Sequence, residues 1–167
     1  MHRFLQRSLA ILLVAAASVA PASAFAAGHV SVALTAQKVT LTDGHETFGP
    51  ADRAKPGETL EYRATYRNDG ARDVRDLVAT LPIPNGAEYV AATATPSPVL
   101  ASLDGRTYAP VPLTRLERAA DGRMVVREVP ASAYRSLRWS LGALPAKGAR
   151  TVMARVRIAP AVAAVAH

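Results

Sequence analysis

The stretch from Lys55 to Gly70, KPGETLEYRATYRNDG, reads as a turn, a run of strict alternation and a second turn. Pro56 presets φ at the second position of a tight turn, and Gly57 tolerates the positive φ that follows. Beyond it Leu60, Tyr62, Ala64 and Tyr66 point one way, and Glu61, Arg63, Thr65 and Arg67 the other. A period of two is the signature of a half-buried β-strand, one face built for a core and the other for water. Asn68-Asp69-Gly70 closes the strand with residues suited to left-handed backbone and to side-chain-capped turns.

Downstream the pattern repeats. Leu77, Ala79 and Leu81 make the next strand, which Pro82 and Pro84 end by removing ladder donors. AEYVAATATP gives a weaker alternation around Tyr89 and Val90, running into Pro96 and Pro98. Asp104-Gly105 is a hairpin-type turn between Leu103 and Tyr108, and Asp121-Gly122 joins LTRLERAA to RMVVREV as a second hairpin. YRSLRWSLGAL carries Leu137, Trp139 and Leu141 on one face. After a turn at Pro145 and Lys147-Gly148, ARTVMARVRI sets Val152, Ala154, Val156 and Ile158 against Met153, Arg155 and Arg157. Upstream, HVSVALT puts Val30, Val32 and Leu34 on an expected core face. Val39 and Leu41 break that parity, which predicts a bulge or a short crossing near Gln37. The segment TDGHETFGPADRAKPGE has no period and is expected to be a loop.

Seven to nine short strands with regularly spaced turn signals and no helical period predict an all-β fold, a two-sheet antiparallel β-sandwich with Trp139 in its core. A β-barrel is the structural alternative, since alternation and turns look the same in both.

The ends and the composition bound the rest. Arg3 and Arg7 precede an apolar run from Leu9 to Ala20, followed by Pro21 and small residues. That arrangement predicts a secretory signal peptide over residues 1–24, cleaved after Ala24 or, as second choice, after Ala26. No cysteine follows the apolar run, which argues against a lipid anchor. With no cysteine anywhere, neither a disulfide nor thiol chemistry is available and the fold must rest on its core. One β-domain is expected over residues 29–158, with residues 159–167 a short apolar tail that frays. The formal charge is +7, but the arginines are interleaved with acids, as in RNDGARDVRD, rather than gathered into a run. Solvated strand faces account for that pattern. Nucleic acid is disfavoured further by the expected export, and acidic envelope polysaccharide or lipid headgroups are the better targets if the charge has one.

The segment AKPGETLEYRATYRNDGARDVRDLVATLPIPNGAEYVAATATP resembles the bacterial "conserved repeat domain", the family of unknown function numbered eleven. The residues that carry the resemblance are Pro56, Gly57, Leu60, Tyr62, Asn68, Gly70, Leu81, Pro82 and Tyr89, and it extends over about residues 30–158. Ala79-Thr80 stands where the family has an Asp before Leu-Pro, and one copy is present where the family often has tandem copies. The resemblance implies an immunoglobulin-like sandwich in the cell envelope or outside it, and no active site.

The candidates for chemistry are sparse. His2, His29, His45 and His167 show neither His-x-His nor His-Glu-x-x-His spacing, so no imidazole metal site is expected. No Gly-x-Ser-x-Gly elbow is present. Asp69, Asp73 and Asp76 are the sharpest candidates for a cation such as calcium, but Arg72 and Arg75 lie among them as counter-charges and solvated turn residues are the default. Glu58, Glu61, Glu88, Glu117 and Glu128 fall at strand edges or turns, with nothing in the sequence to pair two of them for glycoside hydrolysis. Arg63, Arg67, Arg155 and Arg157 would form a basic stripe if their strands were neighbours, with edge protection as the plainer role. The expectation is therefore a non-catalytic exported module, periplasmic or extracellular, with no cofactor, no metal and no membrane span after cleavage. It would act on an envelope protein or glycan. A small carbohydrate-binding or hydrolytic β-domain is the alternative, and an accessory subunit a third reading.

Overall fold

The computed structural model describes residues 30–160. The expected signal peptide with Ala24 and Ala26, His2, His29, His167 and most of the expected tail lie outside the described residues. Within them the chain is all-β. Its strands are β1 (Val30–Thr42), β2 (His45–Pro50), β3 (Thr59–Asn68), β4 (Val74–Pro82), β5 (Ala87–Tyr89), β6 (Leu100–Ser102), β7 (Ala109–Pro110), β8 (Thr114–Arg118), β9 (Met124–Glu128), β10 (Ser136–Leu144) and β11 (Ala149–Ile158). A single 3-10 turn, Ala131–Ala133, interrupts them. Eleven strands stand where seven to nine were expected: β2 lies in the segment expected as a loop, and β6 and β7 are only two or three residues long, too short to show a period.

All pairings are antiparallel. One sheet runs β2-β1-β3-β11-β5, a second β4-β10-β6-β7, and β8-β9 form a separate ribbon. The stretch that opened the sequence reading becomes the turn into β3 and β3 itself. Gly57 sits at φ 86° and the Glu58 amide donates to the Lys55 carbonyl at 3.0 Å, closing the Pro-Gly turn. Leu60, Ala64, Tyr66 and Asn68 are buried and Tyr62 is half-buried, as the alternation requires. The partner β11 buries Val152, Ala154 and Val156 on the same side.

The second sheet faces them with Ala79 and Leu81 of β4, Ala101 of β6, and Leu137, Trp139 and Leu144 of β10, and residues of both sheets form one hydrophobic core. Trp139, the only tryptophan, is 1% exposed, and its indole N–H donates to the Pro96 carbonyl at 2.9 Å. Each fully buried Leu or Val contributes about 1.5–3 kcal/mol of transfer free energy, so this two-sided core is the main source of stability in a chain without disulfides. Tyr66 ties the layers together directly, since its hydroxyl accepts from the Thr80 amide of β4 at 3.2 Å.

Two expectations for the N-terminal third need correction. The segment expected as a loop contains β2, which pairs with β1 through the Asp43-Gly44 turn, where φ is 50° and 80°. That dipeptide is a hairpin signal, but HETFGP beside it lacks alternation. No bulge occurs near Gln37 either. The register of β1 on β3 is unbroken from Val30 to Val39. The apolar residues themselves change sides: Val30, Val32 and Leu34 share the inner face with Asn68, Tyr66 and Ala64, whereas Val39 pairs with Thr59 on the outer face.

Candidate interaction surfaces

The residues singled out for chemistry are dispersed and committed. Asp69 accepts from the Ser31 hydroxyl at 2.7 Å, Asp73 accepts from the Ala146 amide at 2.9 Å, and Asp76 occupies a left-handed backbone position at φ 54°. Among the described residues, no group of three or more His, Cys, Asp and Glu side chains is arranged to hold a metal ion. His45 is exposed at the start of β2. Glu58 accepts from the Lys55 amide at 2.8 Å and from Lys38 at 3.4 Å, and the amide bond first, with the lysine, holds its carboxyl below the usual range. Glu117 bridges Arg115 and Arg127. Glu88 and Glu128 sit on different strands and are not brought to a common cleft.

The strands of the expected basic stripe are neighbours, β3 beside β11, yet the stripe is broken by acids that the sequence separates widely. Arg155 makes a two-pronged pair with Glu46 of β2, at 2.6 and 2.7 Å, and its Nε–H donates to Glu61 at 3.1 Å. Glu61 also pairs with Arg63 at 2.8 Å. The Glu46 carboxylate, with Glu61 behind it, raises the proton affinity of Arg155, and Arg155 in turn lowers that of Glu46. Arg63 and Arg155 are thus neutralised in a network spanning β2, β3 and β11, leaving only Arg67 and Arg157 of the four without an ion pair among the described residues. Glu46 is the member that sequence reasoning missed, since it lies in the segment expected as a loop.

Exposed apolar side chains on regular strands are the most distinctive surface feature. The first sheet extends beyond the second: β3 faces β4 through the Tyr66–Thr80 bond, β4 is the last strand of its sheet, and β1 and β2 follow β3 outward in theirs. Val32 and Leu34 have the parity of the core face, but remain 55% and 57% exposed. Val78, on the outer face of β4, is exposed as well. On the far side of the first sheet, Leu41 and Phe48 are exposed beside Val39. The β8-β9 ribbon presents Leu116 and Val126, directly cross-strand and 66% and 68% exposed, with Met124 next to them. A recess of about 400 Å³ opens beside the stacked rings of Tyr89 and Tyr134, whose centroids lie 5.9 Å apart.

No helix among the described residues is long and apolar enough to cross a membrane. Comparison with protein-family models, with curated proteins and with solved structures returns no match to this chain.

Proposed function

We propose that the chain is an exported, immunoglobulin-like sandwich of the cell envelope or extracellular space that acts without catalysis, by adding a strand of a partner protein to its own sheet. The observation that carries this reading is the seam between β1 and β4. An edge strand offers unpaired backbone groups as a template for another chain. Here the free edge of β4 runs beside Val32 and Leu34, which have core parity and no cover. A strand paired to β4 would lie under those two side chains and complete the second layer. The start of the β4 edge carries the exposed charges of Arg75 and Asp76, which leaves the Val78–Leu81 stretch for pairing.

Kinship with the conserved repeat domain belongs to the same proposal. It is supported by the Pro56-Gly57 turn, by the core positions of Leu60, Leu81 and Tyr89, and by the burial of Asn68, the polar residue of that resemblance. Contact rather than chemistry is supported by the candidate carboxylates Glu58, Glu61 and Glu117, each engaged in an ion pair.

A photo-crosslinking residue placed at Leu34, at Val78 and, as a control, at Arg123 tests the seam. Discrete adducts of one partner from the first two positions and none from the third are expected, and equal labelling from all three refutes strand addition. Export is tested separately by sequencing the N-terminus of the protein recovered from cell fractions, expected at Phe25 or Ala27; an intact N-terminus in the cytosol refutes it.

A further inference from the structure

The outer face of the second sheet contains a cation that the fold leaves without a counter-ion. Arg138 lies on β10, opposite Thr80 on one side and Leu100 on the other. Its guanidinium carbon is 3.5 Å from the centroid of the Tyr108 ring. That ring is pinned, because the Tyr108 hydroxyl donates to Ser136 Oγ at 2.9 Å, with the Gly105 carbonyl a second acceptor at 3.2 Å. The Nε of Arg138 is buried and has no hydrogen-bond partner. No carboxylate among the described residues forms an ion pair with it. Asp104, the nearest acid in the connecting loop, is turned to the Arg106 and Thr107 amides at 2.8 Å each.

Burying a donor without a partner is costly, and more so when the group is charged. A stacked guanidinium keeps its planar fork of donors in a fixed orientation and so loses little entropy on meeting an anion. The surrounding surface is matched to a sugar rather than to a peptide. Exposed hydroxyls at Thr80, directly cross-strand, and Ser140, two residues along the same face, flank the arginine. The outward positions of β4, β10 and β6 neighbouring Arg138 include no acid. Two hydroxyls, the exposed Val78 and the half-buried Leu100 around one planar cation suit a sugar ring, which offers carboxylate and hydroxyl groups at its edge and an apolar C–H face. The net charge, +7 for the full chain and about +5 once Arg3 and Arg7 leave with the expected signal peptide, adds a long-range attraction for a polyanion.

We infer that Arg138, stacked under Tyr108 and flanked by Thr80 and Ser140, is a binding site for the uronate carboxylate of an acidic polysaccharide. The site shares Thr80 with the β4 segment proposed for strand addition, but Arg138 lies on the interior strand β10, so Arg138→Gln leaves the β4 edge unchanged and either proposal can fail without the other.

The test is a titration of the full chain, labelled with nitrogen-15, with oligogalacturonate, a neutral galactose oligomer and polyglutamate. The Nε–H signal of Arg138, identified by its loss in Arg138→Gln, is expected to move with oligogalacturonate only. Arg138→Gln is expected to weaken binding about tenfold or more. Thr80→Glu supplies a carboxylate from the exposed cross-strand position; it is expected to abolish binding while raising the melting temperature, and it decides the matter if Arg138→Gln does not fold. Unchanged affinity in these variants, or no binding by the wild-type chain, overturns the site. Equal affinity for polyglutamate overturns its assignment to a glycan.

Discussion

Asn68 is the residue on which the end of the first sheet depends. It is fully buried at the last position of β3, and its amide nitrogen lies 2.7, 3.1 and 3.1 Å from the carbonyl oxygens of Arg72, Leu144 and Pro145. Its side-chain oxygen accepts from the Gly70 amide at 3.0 Å. One side chain thereby joins β3, the β3-β4 turn and the end of β10. Asn68→Ala strands several backbone groups in the interior, and each uncompensated group costs about 1–3 kcal/mol. A loss of about 2–4 kcal/mol in urea unfolding, followed by Trp139 fluorescence, is therefore expected. Asn68→Asp keeps the shape but turns a carboxylate toward three carbonyl oxygens, and is expected to lose at least as much at neutral pH. Equal stability of the two variants and the wild type would remove Asn68 from its joining role. The sequence marks Asn68-Asp69-Gly70 as a turn, but two of the partners of Asn68, the Leu144 and Pro145 carbonyls, lie 76 and 77 residues away, beyond any local pattern.

At the level of elements, alternation was informative where both faces of a strand have fixed environments and silent where they do not. β3, β10 and β11 have one face on the core and one on water, so Leu60, Trp139 and Val156 could be assigned from period two alone. β1 has the same period at Val30, Val32 and Leu34, but the sequence does not say that its sheet extends past the other, and two of the three are left exposed. β2 was missed because its pairing comes from the Asp43-Gly44 turn and from Glu46 reaching Arg155, not from apolar periodicity. The β6-β7 connection illustrates the same limit. Asp104-Gly105 was legible as a turn, but the loop over 103–108 is held by a cluster of donors on Asp104. The Arg106 and Thr107 amides, then the Ser102 hydroxyl, hold its carboxyl far below the usual range. A carboxylate whose proton affinity is lowered by folding stabilises the native state fully above its ordinary pKa of about 4. That contribution is lost as pH falls from there toward the folded value. Asp121, Glu46 and Glu58 are shifted in the same direction. The melting temperature is thus expected to fall as pH is lowered from 5 to 2. Asp104→Asn, whose amide oxygen still accepts from the loop, should fall less steeply; an identical acid limb in the variant would exclude Asp104 as a contributor.

Over the whole molecule, the packed layers and the exposed ribbon are separable. The core closes between the two sheets, and the β8-β9 ribbon leaves it at Leu113 and returns at Val129, both buried and joined by a 2.8 Å bond from the Val129 amide to the Leu113 carbonyl. Tyr134 locks that base, its hydroxyl accepting from the Leu113 amide at 2.9 Å. Beyond the base, one face of the ribbon carries Leu116, Met124 and Val126 in solvent, and the other carries Glu117 between Arg115 and Arg127. An isolated two-stranded hairpin is marginal in water, so an apolar face kept on one is of little use to folding. Replacing Thr114–Glu128 by an Asn-Gly turn keeps the Leu113-Val129 pair in hairpin register. The shortened chain is expected to unfold in one cooperative step, with a melting temperature within a few degrees of the full chain and Trp139 still buried by fluorescence. A large loss of stability, or a broad transition, would mean that the ribbon is part of the folding unit. A sharp transition near the full chain's melting temperature would show that Leu116, Met124 and Val126 are not kept for folding.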